Sequence, residues 1–132
     1  MAQDNVSVLR EAYETLASRG VDAFSEYWTD DISWDATGGS WSGRQAGRRY
    51  LQQWYDLFDE FTTEPLEILD AGDDQVVIFI RYSGRSKLTG MKVPPEYFAI
   101  LSEMRDGKIA RAREYATTAE ALAAARGGAA PP

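Results

Sequence analysis

Beyond Pro65 the chain is punctuated as a series of strands. The runs LEIL, QVVIFIRYSGRS, EYFAILSEMR and KIARAREYA are separated by DAGDD, by a loop around Gly90 and by Asp106-Gly107. Asp-Gly between apolar or alternating runs is a strong hairpin signal, because a type I′ turn needs φ > 0 at both central residues. The last three runs are therefore expected to be sequential antiparallel neighbours. Such a sheet has an apolar face to cover, and the first half of the chain supplies the cover. Val6, Leu9, Tyr13 and Leu16 recur at steps of three and four over residues 5–19, one helical stripe closed by Gly20. A short helix, VDAFSEYW, leads to a turn at Asp30-Asp31. ISWDAT alternates Ile32, Trp34 and Ala36 against Ser33, Asp35 and Thr37, the period of a half-buried strand, and Gly38-Gly39 ends it.

Ser42 and Gln45 read as a capping box opening a long helix that carries Ala46, Tyr50, Trp54, Leu57, Phe58 and Phe61. Arg44, Arg48 and Arg49 crowd its positive end, which favours ion pairs with neighbouring elements over an anion site. Thr117 and Glu120 form a second capping box before AEALAAAR. Helix, helix, short strand, long helix and then antiparallel strands predict an α+β domain, with helices on one face of a sheet that curls around the long helix and leaves a pocket. Residues 1–126 are expected to form one domain, with 127–132 a flexible tail.

A content of 44% hydrophobic residues, including four Trp, seven Tyr and five Phe, is enough to fill one core in 132 residues. The absence of Cys excludes disulfides and thiolate nucleophiles. The absence of His excludes a Ser-His-Asp triad and imidazole-bound metal. Acid–base chemistry must then fall to Asp, Glu, Tyr or a desolvated Lys, with pKa values moved by burial or charge. A net charge of −7 opposes nucleic-acid binding, and no apolar run is long enough to cross a bilayer. The expectation is a cytoplasmic protein with neither nucleic acid nor membrane as partner, binding a small apolar molecule.

The element order, WTDDISWDATGG after the second helix, and above all MRDGKIARAREYATTAEALAAA resemble the SnoaL-like, polyketide cyclase-like branch of the nuclear transport factor 2-like superfamily over about residues 5–126. The resemblance implies a cystatin-like α+β roll: a cone-shaped curved antiparallel or mixed sheet wrapped around a long helix, with two further N-terminal helices. It also implies an internal pocket and commonly a homodimer through the outer sheet face; no cofactor or metal is expected. Members of this superfamily include polyketide cyclases, ketosteroid isomerases, limonene epoxide hydrolases and dehydratases, so the fold alone selects no chemistry.

The residues discriminate among these. A ketosteroid isomerase-like site needs a carboxylate base, a tyrosine and a second oxyanion donor. Tyr13 matches the family tyrosine, but anchoring on Asp30-Asp31 puts Ala36 at the base and Ala99 or Ile100 at the second donor, which disfavours that activity. Strand parity turns Asp35 outward, although a twist beside the glycines would bring it to a ligand. An epoxide hydrolase-like site uses two carboxylates bridged by an arginine. Glu114 and Glu96 sit near the two acid positions, position 94 is proline, and Arg81 is the candidate bridge. The alternatives are a sheet-surface Glu114 paired with Arg111 or Arg113, and solvated Glu96 and Arg81. Trp34, Tyr50, Trp54, Phe58 and Tyr115, with Asp35, are candidate ligand contacts, though aromatic stripes equally make plain core.

The expected function is cofactor-independent cyclisation, isomerisation, dehydration or hydrolysis of an apolar polycyclic or terpenoid-like substrate. Glu114 is the acid–base, Glu96 and Arg81 its electrostatic partners, and Tyr13 or Tyr50 a hydrogen-bond donor. The alternatives are a noncatalytic ligand-binding or dimeric assembly module, and a scaffold stripped of activity.

Overall fold

The structure is a computed structural model and describes residues 4–36 and 39–127. Of the expected tail 127–132, Gly127 ends a helix and 128–132 lie, with Thr37 and Gly38, outside the described residues. Helices α1 (Asn5–Arg19) and α2 (Val21–Ser25) precede strands β1 (Trp28–Ala36) and β2 (Gly39–Ser42). Helix α3 (Arg44–Leu57) follows, then β3 (Phe58–Gly72), β4 (Gln75–Ser86), β5 (Lys92–Arg105), β6 (Lys108–Tyr115) and α4 (Thr118–Gly127). The six strands form one sheet in the order β2-β1-β6-β5-β4-β3. All neighbours are antiparallel except β1 and β6, so the sheet is mixed.

The turns follow from residue chemistry. Asp106 and Gly107 have φ of 53° and 75°, the two positive values a type I′ turn demands, and they join β5 to β6. Asp73 and Asp74, at 51° and 59°, make the β3–β4 turn the same way without a glycine. The Thr117 hydroxyl accepts from the Glu120 backbone N–H at 3.1 Å, the expected N-cap of α4.

Four expectations are corrected. Asp30 and Asp31 lie within β1 and form no turn; they pair with Arg44 and Arg105. Ser42 does not cap α3, because it is spent in β2 opposite Ser33; the N-cap is Gly43, at φ 89°. The long helix stops at Leu57, and Phe58 is already extended. A register shift between Asp59 and Thr62, with Glu60 at φ 56°, inserts an extra residue in β3. This puts Phe58 and Phe61 on one side with rings stacked 5.5 Å apart, so a bulged strand reproduces a helical three-residue spacing. Finally, the helices do not share one face.

Residues from α1 and α2 (Leu9, Tyr13, Phe24) form one core with the inner face of the sheet, which includes Ile78, Ile80, Ile100 and Ala112. Helix α4 packs Ala121 and Ala124 against Val77, Ala99 and Leu101 on the outer face. Strands β4 and β5 are therefore apolar on both sides. Gly47 in α3 lies against the Trp41 and Trp28 rings, where a Cβ would come within 2.8 Å of Trp28 Cζ3. The absence of a side chain at that position lets α3 approach the β1–β2 hairpin.

Candidate functional site

The helices and the inner sheet face enclose a cavity of about 450 Å³. Tyr13, Leu16 and Phe24 close one side, and Tyr50, Leu51, Trp54 and Tyr55 of α3 another. The sheet contributes Trp34, Phe61, Ile80, Tyr82, Glu96, Phe98, Ile100 and Glu114, with Tyr97 and Tyr115 at the border.

Glu114 is placed by parity and held by an indole. On β6, Ala112 and Glu114 face inward opposite Ser102 and Ile100. Ala112 also lies directly opposite Trp34, and its small side chain leaves room for the indole to cross toward Glu114. Trp34 Nε1 donates to Glu114 Oε2 at 2.8 Å, a charge-assisted bond that fixes the carboxylate at the wall. Trp34 is itself braced by Trp41, stacked at 5.4 Å, and by Trp28 at 6.4 Å. Trp28 in turn meets Phe24 edge-on at 5.4 Å, and Phe24 meets Tyr13 at 4.9 Å.

Tyr13 is 2% exposed, and its hydroxyl has no protein hydrogen-bond partner. Burial raises its pKa far above the usual tyrosine value, and the Glu114 charge adds to the effect. At the rim, Tyr82 Oη donates to Glu96 Oε2 at 2.6 Å. Its pKa is likewise raised, first by burial and then by that bond and the charges of Glu96 and Glu114. Both phenols stay protonated at neutral pH; Tyr82 donates to Glu96, and the Tyr13 hydroxyl has no protein acceptor. The arrangement thus offers two carboxylates and two neutral phenols on an aromatic wall. Among the described residues no group of three or more acidic side chains is placed to hold a metal ion.

The structure places Glu114, Glu96, Tyr13, Trp34, Tyr50, Trp54 and Tyr115 at the cavity. Three other candidates stand elsewhere. Arg81 alternates to the outer face with Val77 and Phe79 and pairs with Glu64 on β3, so it does not bridge Glu114 and Glu96. Asp35 also faces out, accepting from Arg111 at 3.1 Å and from Ser40 at 2.9 Å, and the Arg111 bond leads in holding its pKa below the usual carboxylate value. Phe58 stacks on Trp54 at 6.1 Å, behind the wall. Tyr82 and Phe98 were not anticipated. Tyr82 was legible as the next member of the Ile78-Ile80 face, had that face been chosen over Val77-Phe79-Arg81.

The SnoaL-like domain profile matches residues 9–112, which span α1 to β6. The chain belongs to the SnoaL-like domain family. A comparison with curated protein sequences gives no match. Solved structures share the SnoaL-like fold at low identity. TerC, crystallised with polyporic acid, is 20% identical, with 87% of this chain and 92% of that one covered and a TM-score of 0.72. An NTF2-like protein of Burkholderia pseudomallei is 17% identical over 92% and 97%, with a TM-score of 0.73. A Catenulispora acidiphila protein of ketosteroid isomerase-like fold, in complex with trimethylamine, is 16% identical over 88% and 89%, with a TM-score of 0.72. At these identities the likeness establishes the fold.

Proposed function

We propose that this SnoaL-like protein is a cofactor-independent enzyme that moves protons on a largely apolar, flat small molecule, with Glu114 as the acid–base. The observation that carries this reading is the Glu114 carboxylate, gripped by Trp34 Nε1 at 2.8 Å at the wall of an aromatic cavity. The carboxylate takes a proton from a carbon beside a carbonyl. The C–H electron pair becomes the C=C of an enolate, and the neutral Tyr13 phenol hydrogen-bonds the developing oxyanion. In cyclisation the enolate carbon attacks a second carbonyl, whose π electrons become an alkoxide that takes the proton back from Glu114; in isomerisation a conjugated dienolate takes that proton back at its far carbon.

Two family chemistries fit less well. Glu96 and Glu114 are the only carboxylates among the described lining residues, so a ketosteroid isomerase-type base on β1 has no counterpart; Ile100 on β5 offers no second donor. With Arg81 on the outer face, a water bridged by two acids and an arginine is disfavoured as well. A homodimer through the part of the outer face of β4 and β5 that α4 leaves uncovered, around Phe79 and the exposed Tyr97, remains part of the proposal.

The test is hydrogen–deuterium exchange of 2-tetralone, a flat ketone with acidic α-protons, followed by proton NMR. The wild-type protein is expected to accelerate exchange, and Glu114→Gln to lower that rate at least a hundredfold. An unchanged rate in Glu114→Gln would remove the assignment, whereas binding without acceleration in the wild type would favour a noncatalytic ligand carrier.

A further inference from the structure

The charge on the cavity wall is one-sided. Glu96 and Glu114 line it, and no lysine or arginine is among the described lining residues. Alternation along the strands explains the imbalance. Arg111 and Arg113 precede Glu114 on β6 at odd positions and so lie on the outer face, engaged with Asp35 and Glu103. Arg81, beside Tyr82, is sent out in the same way to Glu64. Much of the remaining lining is aromatic, including Tyr13, Trp34, Tyr50, Trp54, Phe61 and Phe98. Aromatic faces carry partial negative charge and attract cations, most strongly where water is excluded. The net charge of −7 adds a long-range field of the same sign. These features together attract a cation and repel an anion, while a neutral ligand gains from the rings alone. The buried Tyr13 hydroxyl, with no protein partner, supplies an independent polar contact at the inner end for an acceptor on the same ligand.

We propose that the small molecule taken by this cavity carries a cationic amine, seated on the aromatic wall between Glu96 and Glu114, with its apolar body deeper in the cone. This rests on reading the cavity as a small-molecule site, and it stands apart from whether Glu114 transfers a proton. The amine selects the ligand by charge, and the aromatic body fills the remaining volume.

The test compares three probes on one naphthylmethyl frame by calorimetry and by fluorescence of the lining tryptophans: (2-naphthylmethyl)trimethylammonium, its uncharged carbon isostere 2-neopentylnaphthalene, and the anion 2-naphthylacetate. The ammonium probe is expected to bind at least tenfold more tightly than the isostere, with naphthylacetate weakest. Glu114→Gln and Glu96→Gln, each checked for native circular dichroism, are expected to cut that preference threefold or more. Equal affinity for the ammonium and its isostere, or tighter binding of the anion, overturns the proposal, and the wild-type ranking decides this even if a variant fails to fold. A quaternary ammonium has no proton to give, so these results are separable from the tetralone exchange. Retained exchange with no charge preference removes the cationic ligand alone, and charge preference without exchange removes the proton-transfer reading alone.

Discussion

The buried Tyr13 hydroxyl has no protein partner, and in the proposed site it is the group that meets a ligand acceptor. A buried polar group without a partner costs about 1–3 kcal/mol. Tyr13→Phe is therefore expected to leave thermal stability unchanged or higher while weakening binding of a carbonyl-bearing ligand severalfold, measured by scanning calorimetry and by titration. Gly47 is the opposite case. Adding a methyl group gains helix propensity but drives Cβ into the Trp41 and Trp28 rings, so Gly47→Ala is expected to lose about 1–3 kcal/mol in urea unfolding. Asp35 belongs to the surface. Its folded pKa is lowered, chiefly by the Arg111 hydrogen bond, so its stabilisation is present above the unfolded value near 4 and is lost as pH falls below it. The pair is largely exposed, which holds the contribution below about 1 kcal/mol, and Asp35→Asn should flatten the acid limb of a denaturation profile accordingly. The outward turn of Asp35 and the inward turn of Trp34 were legible from alternation alone, because Ile32, Trp34 and Ala36 make one apolar side of that strand.

At the level of elements, the turns and caps behave as local chemistry dictates. The β3–β4 turn holds Asp73 and Asp74 in the left-handed region, where glycine fits without strain. Asp74→Gly is expected to raise stability by about 0.5–1 kcal/mol, offset in part by the lost contact from Asn5, as read from the melting temperature. Where local signals and tertiary pairing competed, pairing won. Phe58 and Phe61 carried a helical spacing that a bulge in β3 reproduces, and Ser42 carried an N-cap signal overridden by pairing with Ser33. Strand β4 could not be oriented from its residues. Ile78 and Ile80 face the cavity core while Val77 and Phe79 face the α4 cluster, so alternation offered two apolar faces and no polar one. This is why Arg81 was paired with the wrong acids and Tyr82 was passed over.

Among the described residues the sheet carries helices on both faces, with the cavity between α3 and the inner strands and the Phe79–Tyr97 end of the outer face uncovered. Tyr13 and Tyr82 have raised pKa values in the folded state, chiefly because burial disfavours the phenolate, so the protein loses stability as pH rises past the unfolded tyrosine value near 10, where only the unfolded chain ionises freely. An alkaline unfolding limb beginning above about pH 10 is expected, shifted upward in Tyr13→Phe when followed by circular dichroism. If two copies associate through β4 and β5, Phe79→Glu should convert a dimer at micromolar concentration to a monomer by light scattering without opening the cavity; a wild-type monomer would remove that part of the proposal. The sequence by itself determined the α+β order, the Asp106-Gly107 hairpin, the N-cap at Thr117 and the side of β1 that faces inward, because each depends on neighbours a few residues away. Only the tertiary structure decided that Trp34, eighty positions from Glu114, holds its carboxylate, that Tyr82 holds Glu96, and that the arginines leave the cavity. Those facts depend on which strands pair and in what register, and parity on a sheet apolar on both faces does not reveal it.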